Sequence, residues 1–131
     1  MGTLIDASVL IAAERSRLAS WDLEPAEDVG IAAITASELL HGVLRASRTH
    51  RPQREAFVES ILSTLSVYPF GVIEARLYAR LWVDAIAKGK SPGVHDLLVA
   101  ATALALGWRV ATVNRRHFDH IPGLVVIGPD T

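Results

Sequence analysis

Apolar residues along the chain fall into short continuous runs, separated by longer stretches in which they recur every three or four residues. The continuous runs predict five strands, at residues 3–5, 29–34, 66–68, 109–112 and 124–127. The periodic stretches predict helices, at about residues 9–13, 35–48, 52–64, 72–88 and 94–106. A polar segment around Trp21 is expected to be a loop, and Asn114 to open a short helical turn. Strands and helices therefore alternate along the chain.

This alternation predicts an α/β fold with a mostly parallel, short-stranded central sheet flanked by helices. Parallel strands need crossover connections, which helices supply with right-handed geometry. A chain of 131 residues has room for one hydrophobic core, so we expect a single domain over residues 1–131 with its core at about 3–127. Sheets of this kind carry their functional sites at the carboxyl ends of the strands.

The helix expected at residues 72–88 has an unusually wide apolar arc. It carries two neighbouring apolar stripes, formed by Ile73, Leu77, Leu81 and Ala85 and by Tyr78, Trp82 and Ile86. One stripe could face the core and the other a second subunit. A single well-buried helix is the alternative interpretation.

Composition and charge narrow the class of protein. Half of the residues are apolar, which excludes an intrinsically disordered chain. The longest apolar or small run, at residues 97–106, is far shorter than the ~20 residues that a membrane span needs. The chain lacks cysteine, which excludes disulfides and thiolate metal sites and fits a cytoplasmic protein. A net charge of −1 excludes a generally basic surface, so any contact with nucleic acid is expected to be local.

Four side chains that carry oxygen atoms stand at junctions between the expected elements. Asp6 follows the first strand, and Glu38 comes shortly after the second. Asp96 lies at the start of the last long helix, and Asn114 follows the fourth strand. Each residue also has a structural explanation: Asp6 and Asn114 could cap helices. Glu38 could form a capping box with Thr35, and Asp96 could be favoured by the helix dipole. The spacing alone leaves both interpretations open.

Four segments around these residues occur in a characteristic order. They are TLIDAS at 3–8, ITASELLHG at 34–42, HDLLVAATA at 95–103 and TVNRRHF at 112–118. Together they resemble the PIN-domain family, and in particular the VapC toxins of bacterial and archaeal toxin–antitoxin pairs. The resemblance extends from residue 3 to about residue 127 and is carried by the ordered set rather than by any single motif.

The resemblance implies that Asp6, Glu38 and Asp96 occupy the three acidic positions of the family, and that Asn114 occupies the fourth, which is often Asp. It also implies an endoribonuclease toxin that is held in check by a VapB-type antitoxin and commonly dimerises. The antitoxin's C-terminal segment would lie across the cleft and present a basic side chain to the carboxylates.

Three carboxylates in one cluster repel one another and raise one another's pKa, so such a cluster calls for a cation that compensates the negative charge. Oxygen ligands without thiolates suit Mg²⁺, with Mn²⁺ as a plausible substitute. We therefore expect Asp6 and Asp96 to be the principal metal ligands, with Glu38 binding directly or through water. Asn114 is expected to act as a positioning amide. Because a metal-activated water would attack the RNA, the expected products carry 5′-phosphate and 3′-hydroxyl ends.

Neighbouring polar residues allow two interpretations each. Ser8 could support Asp6 by a hydrogen bond or simply begin a helix. Six arginines could contact RNA phosphates or form a solvated surface: Arg45, Arg48, Arg51, Arg54, Arg115 and Arg116. Among the histidines, which show no zinc spacing, His95 is of interest because it precedes Asp96.

Two rival functions remain on sequence grounds. A noncatalytic module could use the acidic site to hold a structural metal or the basic segment of a partner. A phosphatase or receiver-like domain is the weaker alternative, since such folds usually place two acids at the first strand and a lysine nearby. Here the first strand is followed by one acid, and the only lysines are Lys88 and Lys90.

Overall fold

The computed structural model describes residues 1–15, 28–91 and 93–128 of the chain. Within these residues the strands are β1 (Thr3–Ile5), β2 (Val29–Ala32), β3 (Ser66–Tyr68), β4 (Arg109–Ala111) and β5 (Val126–Ile127). They form one sheet in the order β3-β2-β1-β4-β5, and every neighbouring pair is parallel. The predicted parallel α/β fold is confirmed. The segment around Trp21, expected to be a loop, lies outside the described residues.

Helices connect the strands as crossovers. They are α1 (Ala7–Glu14), α2 (Ala33–Arg45), α3 (Arg51–Thr64), α4 (Val72–Ala87) and α5 (Val94–Leu106), with a short 3-10 turn at Arg115–His117. Pro52 lies in the first turn of α3, as predicted, where its missing N–H costs no helical hydrogen bond. In the part of the chain that the structure describes, no helix combines the length and the hydropathy that crossing a bilayer would require.

The core consists of two apolar layers, one on each face of the sheet. Successive residues of a strand point to opposite faces, so Leu4 and Ile5 of β1 belong to different layers. Leu4 is fully buried with Phe118 and with residues of α4 and α5. Ile5 is buried with Leu10 of α1 and Leu39 of α2. Burial of an apolar side chain of this size stabilises a fold by about 1.5–3 kcal/mol.

Helix α5 runs through the core because its buried face is built largely from small residues. Ala100, Ala101 and Ala103 are all fully buried, and their short side chains let the helix approach its neighbours closely. The helix stops at Gly107, which adopts a left-handed φ of 70°. The next N–H, of Trp108, turns back and donates to the carbonyl oxygen of Ala103 at 2.9 Å. The predicted helix end is confirmed.

Several predicted boundaries were wrong, and one of them affects the site. The second strand ends at Ala32 rather than residue 34, and α2 begins immediately at Ala33. Thr35 is therefore buried inside the helix and cannot cap it, so the capping box with Glu38 is wrong. Helix α2 also ends at Arg45 rather than residue 48, and β5 is shorter than predicted.

Helix α4 has an apolar surface that the rest of the described chain leaves exposed. Leu81 and Ala85 are buried, as expected for the stripe that faces the core. Trp82 and Ile86, from the second stripe, are 52% and 60% exposed. The alternative of a single well-buried helix is therefore wrong. Ile73, assigned to the first stripe, is exposed as well.

Candidate active site

Asp6 lies at the carboxyl end of β1, the central strand of the sheet. Its backbone N–H donates to the carbonyl oxygen of Ala111 at 2.9 Å, and the residue is 6% exposed. The side chain does not cap α1, so that explanation is wrong. Instead, the carboxylate oxygen Oδ2 accepts hydrogen bonds from Ser8 Oγ at 2.7 Å and Thr112 Oγ1 at 2.9 Å. Of the two interpretations of Ser8, the hydrogen bond to Asp6 is confirmed.

Thr112 is a site residue that sequence reasoning missed. It directly follows β4, and Ala111 of that strand pairs in parallel register with Ile5 of β1. The next residues along the two strands, Thr112 and Asp6, therefore face each other. The available signal was a hydroxyl residue one position after a strand that neighbours β1. This signal can be used only once the strand order is known.

Glu38 and Asp96 bring two further carboxylates to this edge of the sheet. Glu38 lies in the second turn of α2 and Asp96 in the first turn of α5. Burial raises the pKa of both carboxyls. The negative charge of Asp6 raises both pKa values further, and Asp96 adds to the effect on Glu38. The structure therefore brings the three acidic residues within electrostatic reach of one another.

Imidazole groups border two of these carboxylates. His95 Nδ1 lies 3.8 Å from Glu38 Oε1, and His117 Nδ1 lies 3.4 Å from Asp96 Oδ2. When protonated, each imidazole lowers the pKa of the neighbouring carboxyl and so partly offsets the effect of burial. The sequence indicates His95, which precedes Asp96, but not His117. Only the fold brings the turn after β4, which contains His117, next to α5.

Asn114 is linked to the cluster through its backbone. Its N–H donates to Thr112 Oγ1 at 3.0 Å. The residue is exposed, and its side chain does not cap the short turn at Arg115–His117, so the cap explanation is wrong. The structure thus places Asn114 at the rim of the cluster, with its amide open to solvent.

Three of the arginines considered for RNA contact have structural partners, and one of them, Arg115, lies with its Nε 3.8 Å from Oδ1 of Asp119. Arg51 donates to two carbonyl oxygens at the end of α2, at 3.1 Å each. Arg54 pairs with Glu14 at 3.2 Å. Arg45 and Arg48 are exposed. The basic surface near α2 is therefore smaller than the sequence suggests.

The donor atoms of the cluster suit a divalent cation in their chemistry. Burial and mutual repulsion raise the pKa of Glu38 and Asp96 despite the nearby imidazoles, so their ionised forms are disfavoured until a cation compensates the charge. In their present positions, however, no three acidic or histidine side chains of the described residues are arranged to hold an ion. Metal binding would therefore require the side chains of Glu38 and Asp96 to move towards Asp6, whose carboxylate is already held by Ser8 and Thr112.

Comparison with known proteins identifies the class to which this fold and site belong. The PIN-domain family model matches residues 3–124, and the chain belongs to the PIN-domain family. Within that family it is similar to VapC ribonucleases: it is 36% identical over 128 residues to ribonuclease VapC1 of Rickettsia felis, and the alignment covers 97% of this chain and 96% of that protein.

Solved structures agree with this placement. VapBC2 of Rickettsia felis, bound to a DNA fragment from its promoter, matches with a TM-score of 0.90 and 24% identity over 99% of this chain and 100% of that one. VapBC-5 of Mycobacterium tuberculosis, a member of the VapBC toxin–antitoxin family, matches with a TM-score of 0.77 and 27% identity over 99% and 98% of the two chains. The match to the Rickettsia felis structure supports the fold alone.

Proposed function

We propose that this chain is a metal-dependent endoribonuclease, the toxin of a type II toxin–antitoxin pair that acts in the cytoplasm. The observation that carries the proposal is the convergence of Asp6, Glu38 and Asp96 at one edge of a PIN-type sheet. The relatives support it, since the Rickettsia felis protein is named a ribonuclease and the Mycobacterium tuberculosis structure belongs to a toxin–antitoxin family.

The three carboxylates would hold Mg²⁺, with Mn²⁺ as a substitute. Asp6 and Asp96 would be the principal ligands, and Glu38 would bind directly or through water. Carboxylate oxygens without thiolates suit these hard cations. When bound, the ion would supply an acidified water and would neutralise charge on the leaving oxygen of the phosphodiester. Attack by water predicts 5′-phosphate and 3′-hydroxyl ends.

Glu38 would also accept the proton of the attacking water. Burial raises the pKa of its carboxyl, which makes the carboxylate a stronger base than an exposed one. His95 Nδ1 lies 3.8 Å from Glu38 Oε1, where its positive charge, when the imidazole is protonated, favours the carboxylate form. The exposed amide of Asn114 can donate a hydrogen bond to a phosphate oxygen, which would position the RNA.

An apolar groove next to Glu38 suits the expected antitoxin. Residues of three helices line it together with Glu38, among them Ile11 of α1, Leu39 of α2 and Phe57 of α3. A partner segment with apolar side chains in this groove could extend a basic residue to Glu38 and so compete with metal or RNA. The VapBC-5 complex supports a VapB-type partner.

A homodimer is also part of the proposal. Trp82, Val83 and Ile86 form an exposed apolar surface on α4, which a second subunit could cover. Sedimentation of the purified chain would test it, with Trp82→Ala and Ile86→Ala expected to shift a dimer towards monomer.

The experiment that tests the function is cleavage of total cellular RNA by the purified chain. Reactions would contain Mg²⁺, Mn²⁺ or EDTA, and the 5′ ends of new fragments would be mapped. We expect discrete cuts that need the metal and that are lost with Asp6→Ala. Absence of cleavage in RNA from several sources, together with retained metal binding, would favour the noncatalytic module instead.

A further inference from the structure

We propose that Thr112 is a positioning residue. Together with Ser8, it fixes the Asp6 carboxylate so that only the oxygen Oδ1 remains available to a metal ion. The inference rests on the proposed metal site and adds to it a residue and an orientation. Thr112 is fully buried, and its hydroxyl lies 2.9 Å from Asp6 Oδ2.

The direction of both hydroxyl protons follows from the backbone groups that surround them. The N–H of Asn114 donates to Thr112 Oγ1 at 3.0 Å, and the N–H of Val113 donates to Ser8 Oγ at 3.2 Å. An amide N–H can only donate, so each hydroxyl accepts from the backbone and is free to direct its own proton elsewhere. Both protons then point to Asp6 Oδ2, at 2.7 and 2.9 Å.

The contact between the two hydroxyls fits the same arrangement of protons. Ser8 Oγ and Thr112 Oγ1 lie 3.2 Å apart, a distance at which either could donate to the other. Once both protons are given to Asp6 Oδ2, neither is left for this contact. Oδ2 is then occupied by two donors, while no donor of the described residues reaches Oδ1.

The anchoring extends to the two central strands of the sheet. Thr112 follows β4 and Asp6 follows β1, and these strands pair in parallel register up to Ile5 and Ala111. The carboxylate is therefore held by a rigid element on one side and by a pair of backbone-oriented hydroxyls on the other. A carboxylate that is aligned in this way binds a metal ion without the cost of first fixing its own orientation.

The test is the affinity for Mn²⁺, measured by isothermal titration calorimetry without RNA on the full chain and its variants. Thr112→Val removes the hydroxyl at nearly constant volume and is expected to weaken binding roughly 10–100-fold, as is usual for residues that orient metal ligands. Thr112→Ser keeps the hydroxyl and should restore affinity close to that of the wild type.

Thr102→Val is the matched control. Thr102 is 2% exposed, and its hydroxyl donates to the carbonyl oxygen of Leu98 at 2.8 Å, away from the cluster. This variant also loses a buried hydrogen bond, so it should lower the melting temperature without changing Mn²⁺ affinity. A loss of affinity in Thr112→Val alone would therefore report positioning rather than general destabilisation.

The outcomes separate the inference from the function on which it rests. Wild-type affinity in Thr112→Val would overturn the inference and leave the metal site intact. Failure of the wild type to bind Mn²⁺ would overturn the metal site and the inference together. If Thr112→Val does not fold, Ser8→Ala removes one of the two donors at a half-buried position, and unchanged Mn²⁺ affinity in that variant would likewise overturn the inference.

Discussion

Nδ1 of His117 lies 3.4 Å from Oδ2 of Asp96, which sets an imidazole from the turn after β4 against a carboxylate at the start of α5. Even with this neighbour, burial and the charge of Asp6 leave the pKa of Asp96 raised. Without a metal ion, the ionised Asp96 side chain is therefore a source of instability in the folded protein. This cost should appear in the pH dependence of unfolding.

Replacing Asp96 with Asn should stabilise the metal-free protein at neutral pH. The folded state binds the Asp96 proton more tightly than the unfolded chain does, because the folded pKa lies above the ordinary value of 3.8. The stability that this proton contributes is complete below the unfolded pKa and is lost as the pH rises through the folded pKa. In EDTA, Asp96→Asn should therefore melt above the wild type at pH 7, with the difference shrinking towards pH 4.

Asp84→Asn is the control for this measurement. Asp84 lies on the surface of α4 and pairs with Lys88 at 2.9 Å, an exposed pair of the kind that contributes little to stability. Its substitution should leave the melting temperature nearly unchanged at both pH values. A lower melting temperature for Asp96→Asn than for the wild type at pH 7 would show that the ionised carboxylate stabilises the fold rather than destabilising it.

Addition of Mg²⁺ should stabilise the wild type because the ion binds only the assembled carboxylates. At a concentration 100 times the dissociation constant, one bound ion contributes about 2.7 kcal/mol. For a domain of this size, that corresponds to a rise in melting temperature on the order of 10 °C. EDTA should reverse the rise, and Asp96→Ala should lose most of it. An equal rise in Asp96→Ala and wild type would remove Asp96 from the metal ligands.

Arg45 and Arg51 should behave differently although they are close in sequence. Arg45 is exposed, so Arg45→Ala should weaken RNA binding and lower the slope of log affinity against log salt by about 0.7, the value for one phosphate contact with a single strand. Arg51 donates to carbonyl oxygens at the end of α2, so Arg51→Ala should cost about 1 kcal/mol of stability and leave the salt slope unchanged. An unchanged slope in Arg45→Ala would exclude Arg45 from the RNA interface.

Much of the fold was predictable because its signals are local. Strand β1 follows from a short run of apolar side chains. The end of α5 follows from one glycine, Gly107. The start of α2 was not predictable in this way. Thr35 and Glu38 match a capping box in sequence, but β2 leads directly into the helix at Ala33, and the boundary has no side-chain cap.

The acidic residues of the candidate site are predictable from the sequence, because they lie in the segments that resemble the family. Thr112 and His117 are not, because their roles depend on strand order and on the packing of the turn after β4 against α5. The sequence leaves the exposure of Trp82 and Ile86 as one of two alternatives, since periodicity shows which residues share a face but not what covers it.

The most direct test of the central claim is the rate of RNA cleavage by Asp6→Ala, Asp96→Ala and the double variant, each checked for folding by circular dichroism. Because the two carboxylates would hold the same ion, we expect each single substitution to reduce the rate at least about 100-fold and the double substitution to add little more. Arg51→Ala, which alters a structural contact, serves as the control for reduced stability. Substantial cleavage by the folded double variant would contradict the assignment of Asp6 and Asp96 to the active site.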